Sequence, residues 1–293
     1  MAGEEMRGPG RAGRLSVVGT PIGNLSDAAP RVLEALWTAD VVLCEDTRVT
    51  GRLLSSFGIR ASLRRADENV MESRVAEAID RVSAGELVVF VSDAGMPCVS
   101  DPGQRLVDAV LDAGLAVEVV PGPSAVTCAI AASGLHAEQF FFEGFLPRKE
   151  GPALVRLREL AAVPGALVFY ESPRRVVRTL ERVAQVLAGR RVALLRELTK
   201  LHEECVRDEA CELATTIAAR VAEHGELRGE CVIVVERPLG QGAASQPEAS
   251  LDDEIRAGIS ADESKSALAK RLAKAYGLPR SEIYDRVLAL GRE

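Results

Sequence analysis

Short apolar runs rich in β-branched residues recur along this chain, and each is separated from the next by a stretch of helical period. That alternation restricts the possible folds more than any other feature. The runs fall at 15–18, 40–44, 87–92, 116–120, 166–172, 192–198 and 231–236. Amphipathic segments at 30–40, 69–85, 103–114, 172–189 and 212–225 lie between them, all but the first ending on glycine. Strand followed by helix, repeated, predicts parallel or mixed sheets with helices on both faces. Aromatic residues make up only 4% of the chain, so Val, Leu and Ala must fill the cores, which suits buried parallel strands better than a β-sandwich.

A length of 293 residues is more than one core usually serves. A break is expected at Val120-Pro121-Gly122-Pro123, where a strand ends in rigid turn chemistry and a small-residue helix opens at Ser124. The expected division is a flexible N-terminal tail (1–13), an N-terminal α/β lobe (14–120), a C-terminal α/β lobe (121–237), a linker (238–263) rich in Gly, Ala, Gln, Ser and Pro, and a basic helical extension (264–293). The extension reads as two helices with seven Lys or Arg against three Asp or Glu. It is either a solvated helical pair or a patch that touches RNA.

The net charge of −7 excludes a globally basic nucleic-acid binder, so any RNA surface must be local. Six cysteines without a C-x-x-C pair and three scattered histidines speak against a disulfide framework or a metal site. No run approaches the roughly 18 apolar residues of a membrane span, and the N-terminus lacks the apolar core of a signal peptide. A cytoplasmic protein with no membrane contact is expected.

Several junctions carry more chemistry than a connection requires. The first β-to-α turn, Gly19-Thr20-Pro21-Ile22-Gly23-Asn24, matches neither the dinucleotide fingerprint nor the P-loop, yet its glycines let backbone approach a ligand at a strand's carboxyl end. Residues 92–103 (SDAGMPCVSDPG) form a long stiffened loop, too elaborate for a plain connection, that reads as ligand-binding; a cap on the following helix by Asp93 or Asp101 is the plainer alternative and accounts for only one aspartate. Asp46, in CEDTR, is read as a helix cap. Aromatic and basic residues sit together at 142–149, 170–175 and 196–200. Stacking faces beside cations are what RNA bases and phosphates need.

Taken in order, GTPIGNL, CEDTR, SDAGMPCVSDPG, VPGPSAV, FEGFLPRK, FYESPRR and ELTK make the chain resemble the ribosomal RNA small subunit methyltransferase I family, cytidine 2′-O-methyltransferases of the tetrapyrrole methylase superfamily. The resemblance covers residues 14–237. It implies an α/β fold of two lobes with a cofactor cleft between them, S-adenosylmethionine as cofactor, 16S rRNA in the small ribosomal subunit as substrate, methylation of a cytidine ribose in the decoding region, and a homodimer. Asp93, Ala94, Gly95, Met96, Pro97, Val99 and Ser100 would then form the cofactor loop. Pro121, Gly122, Ser124 and Ala125 would supply a second wall, closed by the Pro21-Ile22 turn. The family usually has Thr where this chain has Met96, which leaves a backbone role there but no hydroxyl.

A ribose hydroxyl is a very weak acid, so its attack needs a base or a stabilising cation. Glu171, Glu197 and Lys200 are the catalytic candidates, and the residue types alone do not choose among them. Phosphate contacts are expected of Arg48, Arg148, Lys149, Arg174, Arg175 and Arg196. The competing readings are a methyltransferase acting on a tetrapyrrole or other small molecule, and a catalytically silent RNA- or cofactor-binding module.

Overall fold

The computed structural model describes residues 13–238, 251–261, 263–276 and 280–291. Nearly all of the expected tail, and the linker residues 239–250, lie outside the described residues.

The first sheet comprises β1 (Arg14–Val18), β2 (Val41–Cys44), β3 (Leu63–Arg65), β4 (Leu87–Val91) and β5 (Ala116–Val120), in the order β3-β2-β4-β1-β5. Every pairing in it is parallel. Successive strand residues point to opposite faces, so β4, apolar at every position, feeds two cores. Val89 and Val91 pack beneath α1 (Pro30–Thr38) and α2 (Thr47–Ser56), with Val32, Leu36 and Leu54. Val88 and Phe90 pack beneath α3 (Met71–Ser83) and α4 (Gln104–Asp112), with Met71, Leu106 and Val110.

The second sheet comprises β6 (Phe140–Phe145), β7 (Ala166–Glu171), β8 (Arg191–Arg196), β9 (Glu204–Glu209) and β10 (Cys231–Val235), in the order β6-β7-β10-β8-β9. It is mixed, with β6 and β7 parallel and the rest antiparallel. Leu157, Leu180, Val183, Leu213 and Ile217 of α6 (Glu150–Leu160), α7 (Val176–Val186) and α8 (Ala210–His224) cover one face. The other face receives Val126 and Ala129 of α5 (Ala125–Ser133), together with Ile22 from the turn after β1. That isoleucine ties the two lobes together.

The seven apolar runs are all strands. The three strands that the hydrophobic pattern did not reveal are edges or short. β3 has three residues, β9 (ECVRDE) is an exposed sheet edge, and β6 is broken by a bulge between Phe142 and Gly144.

Residues 239–293 form a compact unit of their own. Its described residues contain three helices where a pair was expected: α9 (Leu251–Ser260), α10 (Lys265–Tyr276) and α11 (Arg280–Leu290). Helix α9 falls inside the stretch expected to be linker. Its Ile255 is buried against Leu268, Leu272, Ile283 and Val287 of the other two helices, so its helicity rests on tertiary packing that flanking composition does not reveal. Among the described residues no helix is long and apolar enough to cross a membrane.

The two central loops of the first lobe meet without side chains. The Gly19 N–H donates to the Val120 carbonyl at 3.0 Å, and a Cβ added to Gly122 would lie 2.5 Å from the Gly19 carbonyl oxygen. No rotamer relieves a clash between backbones. Gly122→Ala is therefore expected to cost about 1–3 kcal/mol, measured as a lower urea midpoint with an unchanged m value; an unchanged midpoint would show that the loops do not meet.

Candidate active site

Strands β1, β4 and β5 are neighbours, so the loops after them emerge side by side at the carboxyl edge of the sheet, where open α/β sheets bind ligands. Thr20 and Gly95 exchange backbone hydrogen bonds of 2.9 and 3.1 Å. The Met96 sulfur accepts the Gly122 N–H at 3.3 Å and lies 2.5 Å from where a Gly19 Cβ would be. Here the thioether fills the space left by two glycines, so position 96 acts by packing where a threonine would have offered a hydroxyl.

These loops face β7, the end of β10 and the loop after β8 across a cleft of about 400 Å³. That volume suits a small organic ligand. Phe145, Tyr170, Leu198, Cys231 and Val232 form the opposing, mostly apolar wall. Phe142 and Phe145 meet the Tyr170 ring edge-on, at centroid distances of 4.8 and 5.7 Å, and hold it in place.

Of the expected cofactor residues, Ile22, Asp93, Ala94, Gly95, Met96, Val99, Ser100, Ser124 and Ala125 line this cleft. Pro121 and Gly122 line an adjoining depression with Cys128 and Thr199. Pro21 and Pro97 are buried within the loops and border neither space. Ser124 occupies the N-cap of α5 but makes no side-chain cap, which leaves its hydroxyl and the helix's first N–H groups available to an anionic group.

Neither Asp93 nor Asp101 caps α4, so the plainer alternative for the loop is not realised. Gly103 holds the N-cap position with φ +134° and no side-chain bond. A Cβ there would lie 2.3 Å from the Phe90 ring, so only glycine fits, and the aspartates are left to other tasks. Asp46 does cap α2: its Oδ1 accepts the Arg48 N–H at 2.8 Å, and the Arg48 guanidinium hydrogen-bonds it and holds its carboxyl well below the usual range. Asp93 Oδ1 accepts the Asp46 N–H at 3.1 Å, pinning the 92–103 loop to the end of β2.

Asp101, passed over as a cap, lines the cleft. Burial, then the nearby Asp93, pushes its carboxyl up to about 6 against the hydrogen bond from Ser92. Cys98 and Ser100 beside it have φ of 66° and 68°, and Glu197 and Thr199 in the loop after β8 have φ of 53° and 67°. Non-glycine residues in the left-handed region are uncommon, and both groups lie in the loops that face each other here.

The catalytic candidates divide. Glu171 borders the cleft, but its carboxylate is fully buried and its oxygens are occupied. They accept from the Ser172 N–H at 2.8 Å and the Thr179 hydroxyl at 2.6 Å, and Arg175 Nε lies at 3.2 Å. It anchors the β7–α7 turn from the edge of the cleft. Lys200 Nζ bonds Glu197 Oε1 at 2.9 Å and Glu230 Oε2 at 3.0 Å, and Glu197 also accepts the Glu230 N–H. Burial works against the ammonium, but the two carboxylates outweigh it and hold the Lys200 pKa above its ordinary value. The stem of Lys200 lies on Gly23, where a Cβ would be 2.5 Å from its Cγ, so this lysine also bridges the lobes.

Two of the expected RNA contacts are taken up inside the protein. Arg175 pairs with Glu171 and donates to the Leu146 carbonyl; Arg196 pairs with Glu204 and donates to the Arg228 carbonyl. Their side chains are only 19% and 17% exposed. Arg48 is 86% exposed but forked onto Asp46. Arg174 is 82% exposed with only Glu226 at 3.8 Å, and Arg148 and Lys149 are exposed as well. These last three follow β6 and β7, which are parallel neighbours, so they share the carboxyl edge of the second sheet.

Residues 14–214 match the sequence model of a family described as Tetrapyrrole (Corrin/Porphyrin) Methylases. The chain is 42% identical over 285 residues to ribosomal RNA small subunit methyltransferase I of Mycobacterium tuberculosis, covering 96% of this chain and 97% of that one. With the protein of the same name from Mesorhizobium japonicum the identity is 41% over 277 residues, covering 94% and 92%. Among solved structures, diphthine synthase superposes with a TM-score of 0.58 at 17% identity, over 76% of this chain and 90% of that one. The Thermus thermophilus uroporphyrin-III C-methyltransferase complexed with S-adenosylhomocysteine gives 0.53 at 23% identity, over 76% and 97%. At these identities the structural likeness speaks for the fold.

Asp101 carries a stability signature. Its folded pKa lies above the ordinary 3.8, so the folded state holds its proton more tightly, and stability falls as pH rises from about 4 to about 6. Asp101→Asn removes that loss. Allowing for partial solvent exposure, the variant is expected to be more stable than the parent by about 1–2 kcal/mol at pH 7.5, with the difference vanishing below about pH 4. Urea titrations across this range check it, and a pH-independent difference would contradict it.

Proposed function

Because the chain belongs to the tetrapyrrole methylase family, and within it to the ribosomal RNA small subunit methyltransferase I group, we propose that it methylates the 2′-hydroxyl of a cytidine ribose in the decoding region of 16S rRNA. Its coarser activity is S-adenosylmethionine-dependent methylation of ribosomal RNA. The observation that carries the finer reading is the placement of exposed Arg148, Lys149 and Arg174 at the ends of β6 and β7, beside a cleft built from the cofactor-loop residues.

The cleft fits S-adenosylmethionine by its own chemistry. Gly95 presents bare backbone to the cleft, Gly19 and Gly122 let the loops behind it close on each other, Ile22, Met96 and Val232 offer apolar contact, and Ser124 opens α5 with no side-chain cap bond. When bound, the cofactor supplies a methyl group already activated on a sulfonium, so the protein's task is alignment and management of the acceptor's proton.

Of the candidate residues, Lys200 is the cation. It does not itself line the cleft, but Glu230, which does, and Glu197 hold it protonated and fixed at 3.0 and 2.9 Å, so that it stabilises charge developing on an acceptor oxygen at the cleft edge. Glu171 and Arg175 hold the β7–α7 turn that carries Arg174. Phosphate contacts from Arg148, Lys149 and Arg174 position the RNA without reading its sequence. The homodimer belongs to the same reading and is supported by exposed Val119 on β5 and by Phe140 and Phe141 on β6, each an edge strand.

The direct test is transfer of labelled methyl from S-adenosylmethionine to small ribosomal subunits lacking the modification, with the product mapped. One 2′-O-methylated cytidine in the decoding region is expected. Transfer elsewhere, or only to a small molecule, would overturn the reading. In the same assay Lys200→Met, which keeps the stem against Gly23, is expected to slow single-turnover transfer about 100-fold with cofactor affinity retained; an unchanged rate would remove Lys200 from the chemistry.

A further inference from the structure

Four carboxylates border the cleft, and they are not equally neutralised. Glu171 faces Arg175 at 3.2 Å, and Glu230 faces Lys200 at 3.0 Å. Asp93 accepts the Asp46 N–H and has Arg48 close enough to favour its charged form. Asp101 receives only the Ser92 hydroxyl, and among the described residues no lysine or arginine forms an ion pair with it. It shares the cleft with the apolar Phe145 and Val232 and lies close enough to Tyr170 to raise that residue's pKa, surroundings in which a charge is poorly screened.

A half-buried carboxylate without a counter-cation in a ligand cleft favours a cationic ligand. Donor and product of a methyl transfer from S-adenosylmethionine share their adenosine and amino-acid parts. They differ by one methyl group and by the positive charge on sulfur. Apolar walls discriminate weakly over a single methyl. A fixed negative charge discriminates between sulfonium and neutral thioether, and that difference survives in the ratio of the two affinities because everything shared cancels.

We propose that Asp101 is the charge-selective residue of the cleft, favouring the sulfonium donor over its thioether product so that spent cofactor is displaced by fresh donor. The inference rests on the reading that this cleft seats S-adenosylmethionine. The groups around Asp101 are Asp93 and Cys98 on its own loop, Glu45 at the end of β2 and Tyr170 on β7. Burial raises Cys98 and puts Tyr170 at about 12, so both stay neutral at physiological pH. Burial also raises Glu45 and Asp93, which therefore lose charge on acidification in the same direction as Asp101.

The test is calorimetric. Dissociation constants of S-adenosylmethionine and S-adenosylhomocysteine are measured with the full chain and with Asp101→Asn at pH 7.5, and with the parent also at pH 5. The product-to-donor ratio is expected to fall roughly fivefold in the variant at pH 7.5, toward the ratio the parent shows at pH 5. A variant ratio equal to the parent's at pH 7.5 would overturn the proposal. Should Asp101→Asn not fold, Asp101→Ser is measured in its place at pH 7.5: the same fall in the ratio supports the role, and a ratio equal to the parent's, or a parent ratio that stays flat down to pH 5, removes it. A parent that binds neither compound would instead overturn the seating of the cofactor itself.

Discussion

The site depends on a contact between two backbones. Gly19 and Gly122 end neighbouring parallel strands and approach closer than any side chain permits, with the Met96 sulfur filling the remaining space and accepting the Gly122 N–H. Three loops are thereby fixed against one another: the turn after β1, the long loop after β4 and the turn after β5. Thr20 and Gly95 add a two-bond bridge between the first pair, and Asp93 ties the long loop to the end of β2. A wall assembled in this way has little freedom to adapt, which is what alignment of a transferred group requires.

The second lobe meets that wall through few but specific contacts. Ile22 reaches from the first turn into the core over the second sheet, and the Lys200 stem returns the contact by lying on Gly23. The cleft is held open between these two crossings. The charged groups around it fall into two kinds. Glu171 with Arg175, and Arg196 with Glu204, are matched pairs that set local geometry. Asp101 is unmatched, and its retention of charge at neutral pH reduces stability, a pattern common where function competes with folding.

Much of this was legible in the sequence. The seven apolar runs and the helices between them required only the two hydrophobic periods, and the turn motifs marked which strand ends carry the site. Legibility failed where tertiary context decides. The polar edge strand β9 and the bulged β6 lack a clean alternation because one side of each is unpartnered. Helix α9 was hidden in linker-like composition, since Ile255 reads as apolar core only once α10 and α11 cover it. Arg175 and Arg196, expected at strand ends as phosphate contacts, are drawn inward by Glu171, four residues earlier, and Glu204, eight residues later. The 92–103 loop reads as ligand-binding, but the sequence does not choose between Asp93 and Asp101 as a cap; the Phe90 ring, distant in sequence, reserves the cap position for Gly103 and leaves the Asp101 carboxylate to the cleft.

The most direct measurement is a crystal structure of the protein with S-adenosylhomocysteine bound. The account predicts the ligand between the 92–103 loop and the Tyr170–Val232 wall, in contact with Met96 and with Ser124 at the start of α5. A ligand seated elsewhere, or one that leaves these residues untouched, would contradict it.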